Sequence, residues 1–165
     1  MGIGEVMKRD SVFSYRCMAC GRCCVNKQIA VNPYEVLRLA RSKGVSTGEF
    51  ISCFLAKDGP YLRVTTDGDC VFYSSKKCSV HADRPLPCRT YPLGRWVSAD
   101  GEETFRELQP HPQCKGVYGE EGTVMDFLKQ QEAQPYLENA DRYQGLFYRL
   151  FDALQEELSL HSELA

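Results

Sequence analysis

The first helical pattern of the chain lies between Asn32 and Gly44. Asn32 suits a helix N-cap, Pro33 suits the first helical position, and Gly44 suits the residue that ends a helix. The apolar residues between them fall on one arc of a helix: Val36, Leu37, Leu39 and Ala40. The pattern predicts one amphipathic helix that buries this arc.

A second helix is predicted directly after the first. Ser46 followed three residues later by Glu49 matches a capping box, which marks a helix start. The buried face is expected to consist of large apolar side chains, namely Phe50, Ile51 and Phe54. Cys53 lies beside them, so we expect its thiol to pack in the core as a small apolar group.

Alternating patterns around two turn dipeptides predict two β-hairpins. Residues 61–65 and 70–73 flank Asp67-Gly68, and residues 93–97 and 104–108 flank Asp100-Gly101. The segment between them, residues 78–92, is rich in proline and is expected to be a loop with one helical turn after Arg84.

The most regular pattern begins at Pro135. Apolar residues then recur at steps of four and three, at Tyr136, Ala140, Tyr143, Phe147, Leu150 and Leu154. They predict one long amphipathic helix that runs nearly to the C-terminus. We expect its apolar stripe to fold back over the cysteine-rich part of the chain, because such a stripe left exposed would promote association. Dimerisation through the stripe is the alternative.

Composition and charge restrict the class of protein. The 165 residues are 43% hydrophobic, and 20 basic residues face 22 acidic ones, for a net charge of -2. Such a chain can bury a core, and it has no bulk positive charge to attract nucleic acid or an anionic membrane. Residues 1–16 contain no apolar run of the length that a secretory signal needs, and no stretch is apolar enough to span a membrane. We therefore expect a cytoplasmic protein.

Cysteine is the residue type that departs from average, with nine in the chain. In a reducing compartment, clustered thiols are more often metal ligands than disulfides. A C-x-x-C-x-x-C spacing allows side chains three residues apart to turn toward one centre, and it suits zinc and iron–sulfur clusters alike. The eight candidate ligands are Cys17, Cys20, Cys23, Cys24, Cys70, Cys78, Cys88 and Cys114.

How these eight thiols divide is left open by the sequence. In an extended segment Cys23 and Cys24 would point to opposite faces, so they would not easily bind the same ion. Eight is twice the number of thiolates that a closed zinc site or a cubane takes, which favours two four-thiolate sets or one polynuclear centre. His81 and His111 each lie three residues from a cysteine and are alternative ligands, or else surface or capping residues.

Two arginines are candidates for holding such a centre. Four thiolates on zinc or on an oxidised cubane carry net negative charge, so Arg84 and Arg89 could donate hydrogen bonds to sulfur. The alternative is that their guanidinium groups cap nearby carbonyl groups.

The order of these motifs resembles that of a known family. The opening Cys17-Met18-Ala19-Cys20-Gly21-Arg22-Cys23-Cys24, then Cys70, then Cys78 leading into residues 84–92 (Arg-Pro-Leu-Pro-Cys-Arg-Thr-Tyr-Pro), is similar to the YkgJ-like cysteine-cluster family. The resemblance covers about residues 13–118 and implies a zinc or iron–sulfur centre. Some relatives are larger flagellin lysine methylases, but this chain is short and shows no clear S-adenosylmethionine site.

Together the patterns predict a small α+β protein. We expect a metal-stabilised, cysteine-rich domain over residues 13–118, with short β-hairpins and packed helices, and a helical extension over residues 119–165 packed on it. Bound metal is expected to supply much of the stability, because the loops between Cys17 and Cys114 cost entropy to close.

Three functions remain open at this point. The first is a protein that holds a 4Fe-4S cluster or zinc in a structural or electron-transfer role. The second is a metal-dependent enzyme that modifies a protein side chain, which would need an open pocket beside the metal. The third is a metal-stabilised module that binds a protein partner through the terminal helix.

Overall fold

The computed structural model describes residues 5–98 and 100–162, with the side chains of the last helix described as far as Glu156. The helices, in chain order, are α1 (Pro33–Lys43), α2 (Thr47–Phe54), α3 (Leu86–Thr90), α4 (Val124–Gln130) and α5 (Gln134–Ser162). The strands are β1 (Tyr15–Arg16), β2 (Tyr73–Ser74), β3 (Lys77–Cys78), β4 (Leu93–Val97), β5 (Glu103–Glu107) and β6 (Val117–Tyr118). The fold is α+β, as predicted.

Three antiparallel strand pairs form the sheets of the described residues: β1 with β6, β2 with β3, and β4 with β5. The β4–β5 hairpin places Leu93 opposite Glu107 and Val97 opposite Glu103, which confirms the second predicted hairpin. The first predicted hairpin is wrong in its extent. Val64 and Cys70 form one isolated bridge, while the two-residue strands β2 and β3 pair further along the chain.

The predicted helix starts are confirmed by their caps. Asn32 accepts a hydrogen bond from Glu35 N, and the Glu35 carboxylate accepts one from Asn32 N, at 3.0 and 2.8 Å. Ser46 accepts a hydrogen bond from Glu49 N at 3.1 Å at the start of α2. Gly44 ends α1 with φ of 68°, a left-handed conformation that costs glycine little.

Two groups of buried side chains form the core. The first contains Phe105, Phe127 and Leu137 and joins the β4–β5 hairpin to α4 and the start of α5. The second contains Leu39, Phe50 and other side chains of α1, α2 and the segment up to Val80. Cys17 and Cys114 pack against the first group, whereas Cys24 and Cys78 pack against the second. The cysteines therefore lie where the two groups adjoin.

Two predictions about α2 are wrong. Cys53 is exposed, and Ile51 is half-exposed, because the buried face of the helix is centred on Phe50 and Phe54. The rings of Phe50, Phe54 and Phe72 pack together with centroids 5.1 to 6.0 Å apart. Each residue turns a helix by about 100°, so Cys53 points to one side of Phe54 and away from that cluster.

The helix α5 begins in the core and then leaves it. Tyr136 and Leu137 are buried, but the apolar side chains from Tyr143 to Leu154 are exposed. The prediction that the whole stripe covers the cysteine-rich part of the chain is therefore wrong beyond Ala140. Within residues 5–98 and 100–162, no helix combines the length and apolarity needed to span a membrane.

Candidate metal centre

One cavity brings the eight predicted thiols together. The cavity measures about 50 Å³, and its walls include Cys17, Cys20, Cys23, Cys24, Cys70, Cys78, Cys88 and Cys114. All nine cysteines of the chain are free thiols, and Cys53 lies elsewhere on the surface of α2. Apolar side chains, His81 and Arg84 supply most of the remaining wall. Sulfur atoms that are far apart in sequence thus converge on one space.

The first four thiols come from a tight loop that depends on Gly21. Gly21 has φ of 72°, and a Cβ atom added there would lie 2.3 Å from the ring of Tyr73. The next three residues, Arg22–Cys24, form a 3₁₀ turn rather than an extended segment. The premise that placed Cys23 and Cys24 on opposite faces is therefore wrong. In the turn, both side chains reach the same cavity.

Backbone pairing brings Cys70 and Cys78 to this loop. Cys70 N donates a hydrogen bond of 2.8 Å to Cys24 O, next to a bridge between Val25 and Asp69. Cys78 then returns to the same place because it is paired with Tyr73 across the β2–β3 hairpin. Two further thiols therefore reach the cavity through main-chain hydrogen bonds.

The pairing of β1 with β6 brings the two ends of the cluster together. Cys17 follows β1 directly and Cys114 precedes β6, so the register of Tyr15 with Tyr118 sets both beside the cavity. Tyr15 Oη lies 3.1 Å from Cys114 Sγ. Gly116 permits this contact, because a Cβ atom there would lie only 1.9 Å from Tyr15 Oη.

Cys88 lies on α3, and the buried carboxylate of Glu35 on α1 holds this short helix in place through a hydrogen bond. Glu35 is 2% exposed, and its second oxygen accepts a hydrogen bond of 2.6 Å from Leu86 N at the start of α3. Burial raises the pKa of Glu35, while the N–H groups of Leu86 and Asn32 act in the opposite direction. One side chain thus caps α1 and fixes the short helix that presents Cys88.

Three of the thiols interact with one another through hydrogen bonds. Cys24 hydrogen-bonds to both Cys23 and Cys78. These bonds lower the pKa of Cys23 to about 7 and that of Cys78 to about 6, and they raise the pKa of Cys24. Two thiols at the centre of the cluster are therefore poised to act as thiolates, the form that binds metal.

Three further thiols of the cavity, Cys17, Cys70 and Cys88, ionise less readily than a free cysteine. Burial raises the pKa of Cys17, Cys70 and Cys88 because the cavity solvates a thiolate poorly. Main-chain N–H groups point at several sulfur atoms: Ala19 at Cys17, Lys115 at Cys20 and Gly116 at Cys114, with N···S distances of 3.4, 3.5 and 3.4 Å. The donors on Cys17 and Cys20 act to lower the pKa of these two thiols.

His81 and Arg84 present two buried N–H groups that have no partner. Arg84 Nη1 lies 2.7 Å from His81 O and 3.2 Å from His81 Nδ1. A guanidinium can only donate, so Nδ1 accepts and the proton of the neutral ring is on Nε2. His81 Nε2 and Arg84 Nε are both buried without a hydrogen-bond partner. Both residues line the cavity, which therefore offers unused donors to an anionic occupant.

Arg89 and His111, by contrast, are engaged elsewhere. Arg89 donates hydrogen bonds to the carbonyl oxygens of Arg84, Ala82 and Gln131, and its guanidinium stacks on Tyr136 at 4.0 Å from the ring centroid. His111 Nδ1 accepts a hydrogen bond from Gln113 N at 3.1 Å. Neither residue is part of the cavity wall. The carbonyl-capping alternative therefore describes Arg89 fully. Arg84 also caps one carbonyl group, that of His81, but it lines the cavity and its Nε has no partner.

The donor set fits a thiophilic metal. Within the described residues, no group of three or more His, Cys, Asp or Glu side chains is arranged so that it could hold an ion as it stands. The eight free thiols line the cavity wall, so metal binding requires them to lose protons. Eight sulfur donors with unused N–H groups around them suit zinc or iron, both of which bind thiolate.

Comparison with known proteins agrees with this donor set. The chain is 24% identical over 135 residues to an uncharacterized protein of Methanocaldococcus jannaschii, a match that covers 74% of this chain and 73% of the relative. No solved structure gives a significant match. Residues 16–115 match the family model CxxCxxCC, whose description is "Putative zinc- or iron-chelating domain". This range contains all eight cysteines of the cavity, and the chain belongs to the CxxCxxCC family.

Proposed function

We propose that the protein holds a polynuclear metal centre, an iron–sulfur cluster or zinc, through the eight thiolates of the cavity. The observation that carries the proposal is that all eight line one cavity rather than two. One zinc ion or one cubane takes four thiolates, so eight around a common space suit more than one metal ion per chain.

The charges around the cavity support the same proposal. Several thiolates in one cavity would repel each other strongly, so divalent or higher-charged metal ions are needed to offset their charge. Arg84 is the cation beside the sulfur atoms, and its charge interacts with Cys17, Cys78 and Cys88. In the proposal, Arg84 Nε and His81 Nε2 donate to ligated sulfur atoms and reduce the remaining negative charge.

The role we propose for the centre is structural or electron-transferring rather than catalytic. Catalytic zinc keeps an open coordination position beside a substrate pocket, whereas structural sites are closed by protein ligands. Here the cavity is small, and sulfur donors are numerous enough to close the coordination of two ions. The centre would also join the two parts of the core, because its ligands pack against both.

Anaerobic purification followed by elemental analysis and a visible spectrum tests the proposal. We expect at least about two metal ions per chain. Iron with sulfide and visible absorbance identifies the cluster form, whereas a colourless protein with zinc identifies the zinc form. Cys24→Ala and Cys88→Ala should lower the metal content, and Cys53→Ala, at the exposed cysteine of α2, is the matched control. A metal-free wild-type protein, or full metal content in both cavity variants, would contradict the proposal.

A further inference from the structure

The second half of α5 carries large apolar side chains that contact little of the chain itself. After Ala140, about 33 Å of helix continues to Ser162 at 1.5 Å per residue. The exposed fractions are 42% for Tyr143, 56% for Leu146 and Phe147, 46% for Tyr148, 58% for Leu150, 50% for Phe151 and 53% for Leu154. Soluble proteins seldom leave so many adjacent large apolar side chains in water.

Four of these seven side chains continue a seam that starts in the core. Tyr136, Tyr143 and Leu150 are seven residues apart, and Ala140, Phe147 and Leu154 form a second row with the same spacing. Two rows with a seven-residue repeat, offset by three or four, are the pattern of a two-helix coiled-coil contact. From Asp141 to Glu156 the charged residues lie away from the seam at 100° per residue: Asp141, Arg142, Arg149, Asp152 and Glu156. The seam is uncharged as far as Leu154, and the next position of its first row is Glu157.

The exposed area is close to what a stable interface requires. Tyr148 points away from the seam at 100° per residue. The other six side chains present roughly 200 Å² each and are about half exposed, which gives about 600 Å² per chain. Stable interfaces bury about 800 Å² per partner. Tyr143 also borders an apolar groove formed with Val36, Ile51 and Leu55, and this groove extends the same surface. One partner that covers the seam and reaches the groove would therefore suffice.

We infer that the partner is a second copy of this chain, with the two α5 helices packed antiparallel along this seam. A two-fold axis between residues 148 and 149 places Phe147 opposite Leu150 of the second copy. The same axis places Tyr143 opposite Leu154 of the second copy. The surface is thus complementary to itself, as a two-fold dimer interface must be.

The antiparallel arrangement follows from the position of the protein body, by which we mean residues 5–140. Tyr136 and Ala140 belong to the seam and face the chain's own core, so the body lies on the seam side of the helix at its N-terminal end. In a parallel pair, both bodies would occupy the same space. In the antiparallel pair the two bodies lie at opposite ends. The second helix then meets the body only with its last two turns, residues 155–162, which must lie along the groove beside Tyr143 rather than over Tyr136 and Ala140.

The mass of the metal-loaded protein in solution tests the inference. Sedimentation should give twice the 18.7 kDa of the chain. The double variant Phe147→Asp/Leu150→Asp should raise the dimer dissociation constant at least about 100-fold, because it buries four charges per dimer without partners. Arg149→Asp puts the same residue on the opposite side of the helix and should leave the dimer intact. A monomeric wild-type protein would overturn the inference, as would a dimer that the double variant leaves unchanged.

A charge pair tests the orientation. Tyr143→Lys and Leu154→Glu should each weaken the dimer. Combined in one chain, they face each other across an antiparallel interface and should restore association relative to either single variant. In a parallel dimer, the combination would set like charges together and weaken it further, which would overturn the antiparallel arrangement. Metal content should not change in any of these variants, so the outcome is independent of the proposed function.

Discussion

Glu35 joins α1 to the helix that carries Cys88, and its replacement tests whether this link supports the fold. One carboxylate oxygen accepts from Asn32 N at 2.8 Å and the other from Leu86 N at 2.6 Å. Glu35→Ala would leave both N–H groups without an acceptor. Glu35→Gln keeps one amide oxygen, which can serve one of the two donors.

The expected magnitudes follow from these two bonds. A hydrogen bond to a charged group contributes about 1.5–3 kcal/mol. Part of this is offset, because the carboxylate must be desolvated in the folded protein, and burial accordingly raises the pKa of Glu35. We therefore expect the free energy of unfolding to fall by about 3 kcal/mol for Glu35→Ala and by about 1 kcal/mol for Glu35→Gln.

Urea unfolding of the metal-loaded proteins under anaerobic conditions measures these differences. Glu49→Ala is the matched control, because Glu49 holds the same third helical position in α2 but is exposed. Its effect should stay within about 0.5 kcal/mol. The reasoning is refuted if Glu35→Ala is no more destabilising than the control, or if the Gln and Ala variants of Glu35 are equally destabilised.

Four further predictions concern pH, the ligand loop, the unused donors and metal removal. Partial burial acts to raise the pKa of Glu103, but hydrogen bonds from Arg9 and Arg95 outweigh it and lower the pKa. Glu103 should therefore stabilise the folded protein fully at pH values above 4.5, the pKa of this carboxyl group in the unfolded chain. This stabilisation should be lost as the pH falls through the lower pKa of the folded state. In acid denaturation, the difference in unfolding free energy between wild type and Glu103→Gln should shrink accordingly, whereas a constant difference would contradict this. Gly21→Ala should lower the free energy of unfolding by about 1–2 kcal/mol, because the residue has φ of 72° and the ring of Tyr73 would have to move. Gly48→Ala should raise the free energy of unfolding by about 0.5–1 kcal/mol, because Gly48 lies in α2 with open space around it. Equal effects of the two glycine variants in thermal unfolding would be inconsistent with the loop geometry. Arg84→Lys removes the Nε donor beside the cavity, so a chelator should extract the metal about ten times faster than from the wild type. An unchanged rate would show that Arg84 Nε does not stabilise the bound metal. Chelation of the wild-type protein should lower its melting temperature markedly, and an unchanged transition would show that metal does not stabilise the fold.

Local signals in the sequence account for the elements that were predicted well. Helix caps depend on a few neighbouring residues, so Asn32 with Pro33 and Ser46 with Glu49 could be recognised directly. The β4–β5 hairpin is likewise set by its Asp100-Gly101 turn and the alternation on either side. Both kinds of element are decided within about fifteen residues of chain.

The errors arise where distant parts of the chain decide the outcome. Periodicity predicted that Cys53 and the end of the α5 stripe would be buried, but burial also requires a packing partner, and that depends on the tertiary arrangement. The 3₁₀ turn at Cys23 and Cys24 follows from the left-handed Gly21 next to Tyr73, a contact between residues 52 positions apart. Likewise, the C-x-x-C spacing indicated a metal site, whereas the role of Glu35 in fixing α3 could be found only from the structure.

X-ray absorption at the edge of the bound metal tests the central claim most directly, because it reports both the ligand atoms and any neighbouring metal. We predict a first shell of sulfur alone, at about 2.3 Å for zinc, together with scattering from a second metal ion within about 4 Å. Such a result would agree with eight cysteine ligands and with His81 acting as a donor rather than a ligand. A shell containing nitrogen or oxygen, or a single metal ion with no metal neighbour, would contradict a polynuclear thiolate centre.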